Sequence, residues 1–183
     1  MKIDRQAGWL KGAEILPSPN YDDRPDEADI TGIVIHNISL PPGQFGGGWI
    51  KDLFLNQLDA DAHPYFTEIA HLKVSAHVLI RRDGSVQQFV PFHKRAWHAG
   101  VSCWEGRERC NDFTIGIEME GDDETDFTEE QYIRLVEVSK TLLATYPLLT
   151  NDRITGHEHI APGRKTDPGP HFDWQYFRQL LQT

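Results

Sequence analysis

Residues 30–36 read ITGIVIH, a short β-branched and apolar run that ends in a histidine. A run of this kind marks a strand buried on both faces. Such a strand needs helices packed on its sheet. The chain is therefore constrained towards an α/β or α+β layered fold. The rest of the sequence offers matching parts. Residues 113–120, FTIGIEME, alternate cleanly: Phe113, Ile115, Ile117 and Met119 share one face, while Thr114, Gly116, Glu118 and Glu120 share the other. Val74–Ile80 and Val86–Val90 read as strands joined by a two-residue Asp83-Gly84 turn.

Three helices are expected. Trp49–Leu58 carries apolar residues at helical spacing. Thr128–Tyr146 opens with a Thr128/Gln131 capping box and a Phe127/Tyr132 staple, and stops before Pro147. A last helix starts after Asp173, with Phe172 and Phe177 as its staple. Residues 1–29 read as an irregular N-terminal arm, and residues 59–72, 95–112 and 155–170 as loops. A length of 183 residues suits one domain, 1–183, that buries roughly 70% of its unfolded surface without disulfides.

Charge and cysteine usage narrow the function. Eighteen basic against 28 acidic residues give 18 − 28 = −10, a poor basis for neutralising nucleic-acid phosphates. Cys103 and Cys110, seven positions apart, form neither a C-x-x-C pair nor a disulfide framework, and read as free thiols in a reducing cytosol. The N-terminal MKIDRQAGWLKGAEILPSP lacks the apolar core of a secretory signal. No stretch nears the ~20 apolar residues of a membrane span. A cytoplasmic protein with neither nucleic acid nor membrane as partner is expected.

His36 stands where a buried strand meets a loop, the place where α/β folds put ligands. The Gly/Pro-rich stretch TGHEHIAPGRKTDPGP adds His157, His159, Lys165 and Asp167. His36, His157 and Asp167 would make a two-histidine, one-carboxylate set that leaves a fourth position open for water, the catalytic zinc pattern. His159 is an alternative ligand, since residues i and i+2 point the same way on an extended chain. Asp167 could instead cap a turn before Pro168, with the histidines solvated. Glu118 reads either as a proton acceptor for metal-activated water or as an exposed-face carboxylate. Lys165 reads as an oxyanion partner or a surface lysine. His77 suits a structural role, and His98, beside Trp97, the edge of a groove. Lys73 and the Arg107–Arg109 run are candidates to pair with substrate carboxylates. No G-x-S-x-G elbow supports a serine hydrolase.

Taken together, VIHNISLPPGQFGG, HPYF, HLKVSAHVLIRRDGSVQQFVPF, RAWHAGVS, GRERCNDFTIGIEMEG and GHEHIAPGRKTDPGP resemble the AmpD family of cytoplasmic zinc amidases that cleave anhydro-muropeptides. The resemblance runs from about Pro17 to Trp174. It implies the type-2 amidase and peptidoglycan-recognition-protein fold, a single domain with a central mixed sheet flanked by helices. By this resemblance His36, His157 and Asp167 match the zinc ligands, Glu118 the catalytic acid/base and Lys165 the catalytic lysine. His159 becomes a bystander. Asn37, Lys73, Trp97 and Arg109 are the implied substrate contacts. Lys73 stands where the family leads one to expect arginine, and a lysine cannot form the same planar fork. Relatives in the wider fold carry a tyrosine before the second-strand histidine; this chain has Ala76 there, which throws catalysis onto Glu118.

The implied reaction is zinc-dependent hydrolysis of the amide between the lactyl group of 1,6-anhydro-N-acetylmuramic acid and L-alanine, in peptidoglycan recycling and hence linked to β-lactamase induction. The implied partner is the anhydro-muropeptide alone, acted on by a monomer. The basic residues Lys73, Arg109 and Lys165 are expected to gather at the site against the acidic background. The alternative is a non-catalytic muropeptide-binding module on the same fold, whose mark would be a lost ligand.

Overall fold

The computed structural model describes residues 1–183. Its first 29 residues are not irregular. They carry four short strands: β1 (Lys2–Asp4), β2 (Trp9–Lys11), β3 (Glu14–Ile15) and β4 (Tyr21–Asp23). β1 and β2 form a hairpin. Strands of two or three residues leave no periodicity to read in sequence, because distant side chains hold them. The buried Gln88 accepts from Leu10 N and donates to Gly8 O. Arg24, 4% exposed, donates to the carbonyls of Phe92, Asn111, Asp112 and Thr114.

Next come β5 (Gly32–Ile38), α1 (Trp49–Phe54), α2 (Pro64–Ile69), β6 (Val78–Ile80), β7 (Val86–Gln88) and β8 (Lys94–Ala96). They are followed by the hairpin of β9 (Cys103–Trp104) and β10 (Arg107–Glu108), β11 (Thr114–Glu120) and α3 (Glu129–Thr145). β12 (Ile154–Gly156), α4 (His157–Ile160) and α5 (Trp174–Gln182) complete the chain. Six strands make one mixed sheet in the order β12-β5-β11-β6-β7-β3, with β12, β5, β11 and β6 parallel and β7 antiparallel to β6. β4 pairs with β8 apart from it.

The 30–36 run becomes the strand second from one edge, flanked by β11 and β12, with residues 33–36 fully enclosed. β11 is buried along its whole length. Glu118 is therefore not an exposed-face carboxylate: helices and loops cover both sides of this sheet. On one face Ile33, Ile35, Ile115, Ile117 and Met119 pack against α3 and α5 through Leu135, Val138, Leu142, Phe177 and Leu181. Phe113 does not join them. Its ψ of 7° breaks the extended geometry, and it packs with Val34, Ala99 and Cys110 on the opposite side. On that second face α1 and α2 lay Ile50, Leu53, Phe54 and Phe66 against Leu79, Phe89 and Ala76.

The two helix-capping signals hold. Thr128 and Gln131 form the capping box of α3, and the Phe127 and Tyr132 rings meet edge to face. Asp173 caps α5 at Tyr176 N. Several local expectations need correction. α1 stops at Phe54 rather than Leu58, since Asn56 adopts φ 59° and ends the turn. The 59–72 loop contains α2, capped by the His63 ring with Pro64 in its first turn. The hairpin turn has three residues, Arg82–Gly84, with Gly84 at φ 76°. This is the three-residue form that needs a left-handed residue before the return strand. The 155–170 loop contains the end of β12 and all of α4.

Candidate metal centre

Parallel strands bring their C-terminal ends to one side of a sheet, and the site gathers there. His36 lies on β5, one residue before Asn37 and two before the strand ends. Its register partner on the neighbouring β11 is Glu118. On the other side of β5, Gly156 of β12 pairs with Ile35, and the chain turns at once into α4, whose first residue is His157. Gly156 leaves no space for a side chain, because a Cβ there would meet Pro168 Cδ at 2.7 Å. That contact seats the Asp167-Pro168 segment against the turn. The Glu158 N–H to Asp167 O bond at 2.9 Å fastens it.

The result is a triangle of three ligand-type atoms. His36 Nδ1 lies 2.8 Å from Asp167 Oδ2 and 3.0 Å from His157 Nδ1, and His157 Nδ1 lies 3.0 Å from Asp167 Oδ2. Tetrahedral ligands at about 2.05 Å from a zinc ion stand roughly 3.3 Å apart, so the triangle has the right scale for so small an ion. The donor set, two imidazoles and one carboxylate, is the kind that catalytic zinc takes. His159 takes no part. The helical turn at 157–160 sends it outward, where its ring lies edge-on to Trp174.

Electrostatics sharpen the picture. Burial holds the His36 imidazole down to about 4, although the bond to Asp167 pulls the other way. Burial alone would raise Asp167, but its bonds from His157 and His36 outweigh that and hold its carboxyl below the usual range. Glu118 shows the opposite behaviour. Its pKa is pushed well above the ordinary carboxylate range by burial, then by the Asp167 charge, with Lys165 opposing. Its Oε2 is buried without a hydrogen-bond partner. A lone carboxylate oxygen kept out of water beside three metal-type ligands suits a proton acceptor.

These residues line a cleft of about 580 Å³. The lining includes apolar Leu40, Leu53, Phe54 and Leu72 with Tyr65, and charged Arg164, Lys165, Asp122 and Asp123. Asn37 and Trp97 line the cleft. The Asn37 amide donates to Asp123 Oδ1 and to Pro168 O, and the Trp97 indole N–H donates to Asp22 Oδ1. Lys73 and Arg109 lie outside this lining. Lys73 is exposed between two lining residues, Leu72 and Val74, and Arg109 faces a separate depression shared with Val101 and Pro162. Only Lys165 of the three expected cations reaches the cleft, joined there by Arg164, which the sequence reading did not select. His98, read from sequence only as the edge of a groove, lines the cleft, and it and the Ala99 carbonyl contact the two histidines directly. The only sequence signal for them is their place beside Trp97.

The family model for N-acetylmuramoyl-L-alanine amidases, Amidase_2, matches residues 26–170. The chain belongs to this amidase family. Among curated relatives, the amidase is 62% identical over 174 residues to the 1,6-anhydro-N-acetylmuramyl-L-alanine amidase AmpD of Salmonella typhimurium strain SL1344, covering 95% of this chain and 92% of that one. The crystal structure of a selenomethionine AmpD derivative superposes with a TM-score of 0.95, at 58% identity and 99% coverage of both chains. A third relative is AmiD of Escherichia coli, in complex with the substrate anhydro-N-acetylmuramic acid-L-Ala-D-gamma-Glu-L-Lys. It has a TM-score of 0.60 and 27% identity, covering 94% of this chain and 60% of that one. Both the amidase motifs and the mixed-sheet domain expected from sequence are borne out. No helix of this amidase is long and apolar enough to cross a membrane.

Proposed function

We propose that this amidase uses zinc to hydrolyse the amide between the lactyl group of 1,6-anhydro-N-acetylmuramic acid and the L-alanine of the stem peptide. The observation that carries the reading is the His36–His157–Asp167 triangle beside the partnerless carboxylate of Glu118 in one cleft. His36 Nδ1, His157 Nδ1 and Asp167 Oδ2 would hold the ion. When bound, zinc supplies Lewis acidity, polarising an amide carbonyl and acidifying water.

The chain's own groups do the remaining work. Glu118, ionised, accepts the proton of the attacking water. Its burial raises its basicity towards the value a general base needs near neutral pH. Glu118 then returns that proton to the departing alanine nitrogen, so the amine leaves neutral and the carboxyl side of the broken bond stays with the sugar. Lys165, on the cleft wall, places a positive charge where the carbonyl oxygen becomes negative. The apolar part of the lining suits the anhydro-sugar, which lacks a free reducing hydroxyl. Trp97 and Asn37 are proposed contacts within the cleft, and Lys73 and Arg109 are proposed rim contacts for stem-peptide carboxylates.

The AmpD likeness supports a place in cytoplasmic recycling of peptidoglycan fragments, upstream of β-lactamase induction. The test is mass spectrometry of products from anhydro-muropeptide and from its reducing-end counterpart. Release of intact stem peptide, faster from the anhydro form, is expected. Equal rates would refute the anhydro preference, and no release from either would refute the reaction.

A further inference from the structure

Hydrogen bonds around the triangle fix where its protons sit. Thr114 Oγ1 donates to Cys110 O at 2.6 Å, which spends its only hydrogen. The contact of Thr114 Oγ1 with His98 Nε2 at 3.2 Å must therefore be donated by the His98 ring. A neutral imidazole with its hydrogen on Nε2 has a bare Nδ1. That bare Nδ1 lies 2.9 Å from His36 Nε2, so His36 carries its hydrogen on Nε2 and leaves Nδ1 free. His157 Nε2 lies 3.1 Å from the carbonyl oxygen of Ala99, which can only accept; Arg164 Nη2, 3.3 Å away, spends its two hydrogens on Ala99 O and Val101 O at 2.7 Å, so His157 too carries its hydrogen on Nε2. Two bare Nδ1 atoms and a carboxylate oxygen then face one another within 3.0 Å with no hydrogen between them. Such an array is repulsive unless a cation fills it.

We infer that the His98–Ala99 dipeptide sets the tautomer of both metal-binding histidines, which makes His98 a positioning residue of the metal centre. Two neighbouring residues serve two ligands, one on β5 and one at the start of α4, 121 positions apart in sequence. The dipeptide is itself held. The backbone N–H groups of His98 and Ala99 both donate to the buried Asn111 Oδ1, at 3.1 and 2.8 Å. Arg164 Nη2 donates to Ala99 O at 2.7 Å and braces the same carbonyl. Gly116 makes room for the His98 ring, since a Cβ there would overlap it. The bare glycine on the Glu118 face of β11 thus serves the outer histidine.

This inference rests on the zinc reading given above, and the two can fail separately. Zinc affinity is measured by competition with a chromophoric chelator for the wild type, His98→Asn and His98→Phe. Asn keeps an acceptor near the Nδ1 position; Phe keeps the ring volume without one. Outer partners of ligand histidines typically carry 10–100-fold in metal affinity. His98→Phe is expected to weaken zinc by that factor, and His98→Asn by only a few-fold. The reverse order, with Phe tolerated and Asn damaging, would mark His98 as packing alone and overturn the inference. Failure of the wild type to bind zinc would instead remove the metal reading beneath it. Nitrogen-15 NMR of the zinc-loaded wild type gives a readout that needs no variant. A neutral His98 protonated on Nε2, with a coupling across the hydrogen bond from His36 Nε2 to His98 Nδ1, is expected. Protonation of His98 on Nδ1 would overturn the inference.

Discussion

His36 and Glu118 are register partners on adjacent parallel strands, so one backbone ladder sets the spacing between a metal-type ligand and the proposed proton acceptor. Neither side chain depends on a loop for its position. Replacing Glu118 should therefore remove chemistry without disturbing the triangle. Glu118→Gln is expected to lower kcat by roughly 10²–10⁴-fold while zinc content stays at the wild-type level. Its stability should hold or rise, because the amide replaces a buried group that resists ionisation. Turnover within tenfold of wild type, with zinc retained, would remove Glu118 from its role.

Acid should destabilise the metal-free protein. His36, His77 and His98 are all held below the ordinary histidine range, each chiefly by burial. Below about pH 6.5 the unfolded chain takes up protons that these folded imidazoles refuse, so stability falls with pH. Its full value is present above pH 6.5, and the loss runs down towards the folded value of about 4 for His36. For His36 alone the loss from pH 6.5 to 5 is about 2 kcal/mol. Glu118 works in the opposite direction over part of this window, one carboxyl against three imidazoles. Urea midpoints at pH 7 and pH 5 are expected to drop on acidification, and an unchanged or rising midpoint would contradict the buried-neutral assignment.

Arg24 fastens the N-terminal arm to Phe92 ahead of β8, to the 110–112 turn and to Thr114 of β11 through carbonyl groups, and also meets His77 Nε2, with no carboxylate bonded to it. Truncation strands those carbonyls in the interior. Arg24→Met is expected to cost about 3 kcal/mol by chemical denaturation. Arg24→Lys should recover little of it, since an ammonium cannot reproduce the planar fork.

Thr128 both accepts from Gln131 N and donates to Arg82 O, tying the start of α3 to the β6–β7 hairpin. Thr128→Ala should cost about 1–2 kcal/mol, the upper part of the range for a helix cap. A loss below about 0.3 kcal/mol would show the second bond to be idle.

What the sequence exposed and what it hid divide along physical lines. β5 is legible because burial on both faces writes itself into continuous apolar composition, β11 because its apolar residues alternate, and α3 because its cap is local chemistry. β12 is hidden: ITG is three residues long, and its strand character comes from pairing with β5, 121 positions away. The arm strands are hidden for the same reason, since Gln88 and Arg24 hold them from a distance. At the site, His36 is legible as a strand end and His157 and Asp167 as a ligand-rich stretch. Their convergence is not, because it depends on the β12–β5–β11 order. Glu118 reads as half-exposed in an alternating strand, and only the covering layer makes it a buried carboxylate. His98 offers no signal beyond its neighbour Trp97, because its role rests on hydrogen bonds to residues 62 and 16 positions away.

Zinc titration into chelator-treated protein, with stem-peptide release followed at each addition, tests most directly whether His36, His157 and Asp167 hold a metal that the reaction needs. Activity is expected to be absent at zero zinc, to rise in proportion to bound metal, and to level off at one ion per chain. Asp167→Ala should leave it near zero throughout. Full turnover by the metal-free chain, or an unaltered titration in Asp167→Ala, would contradict the assignment.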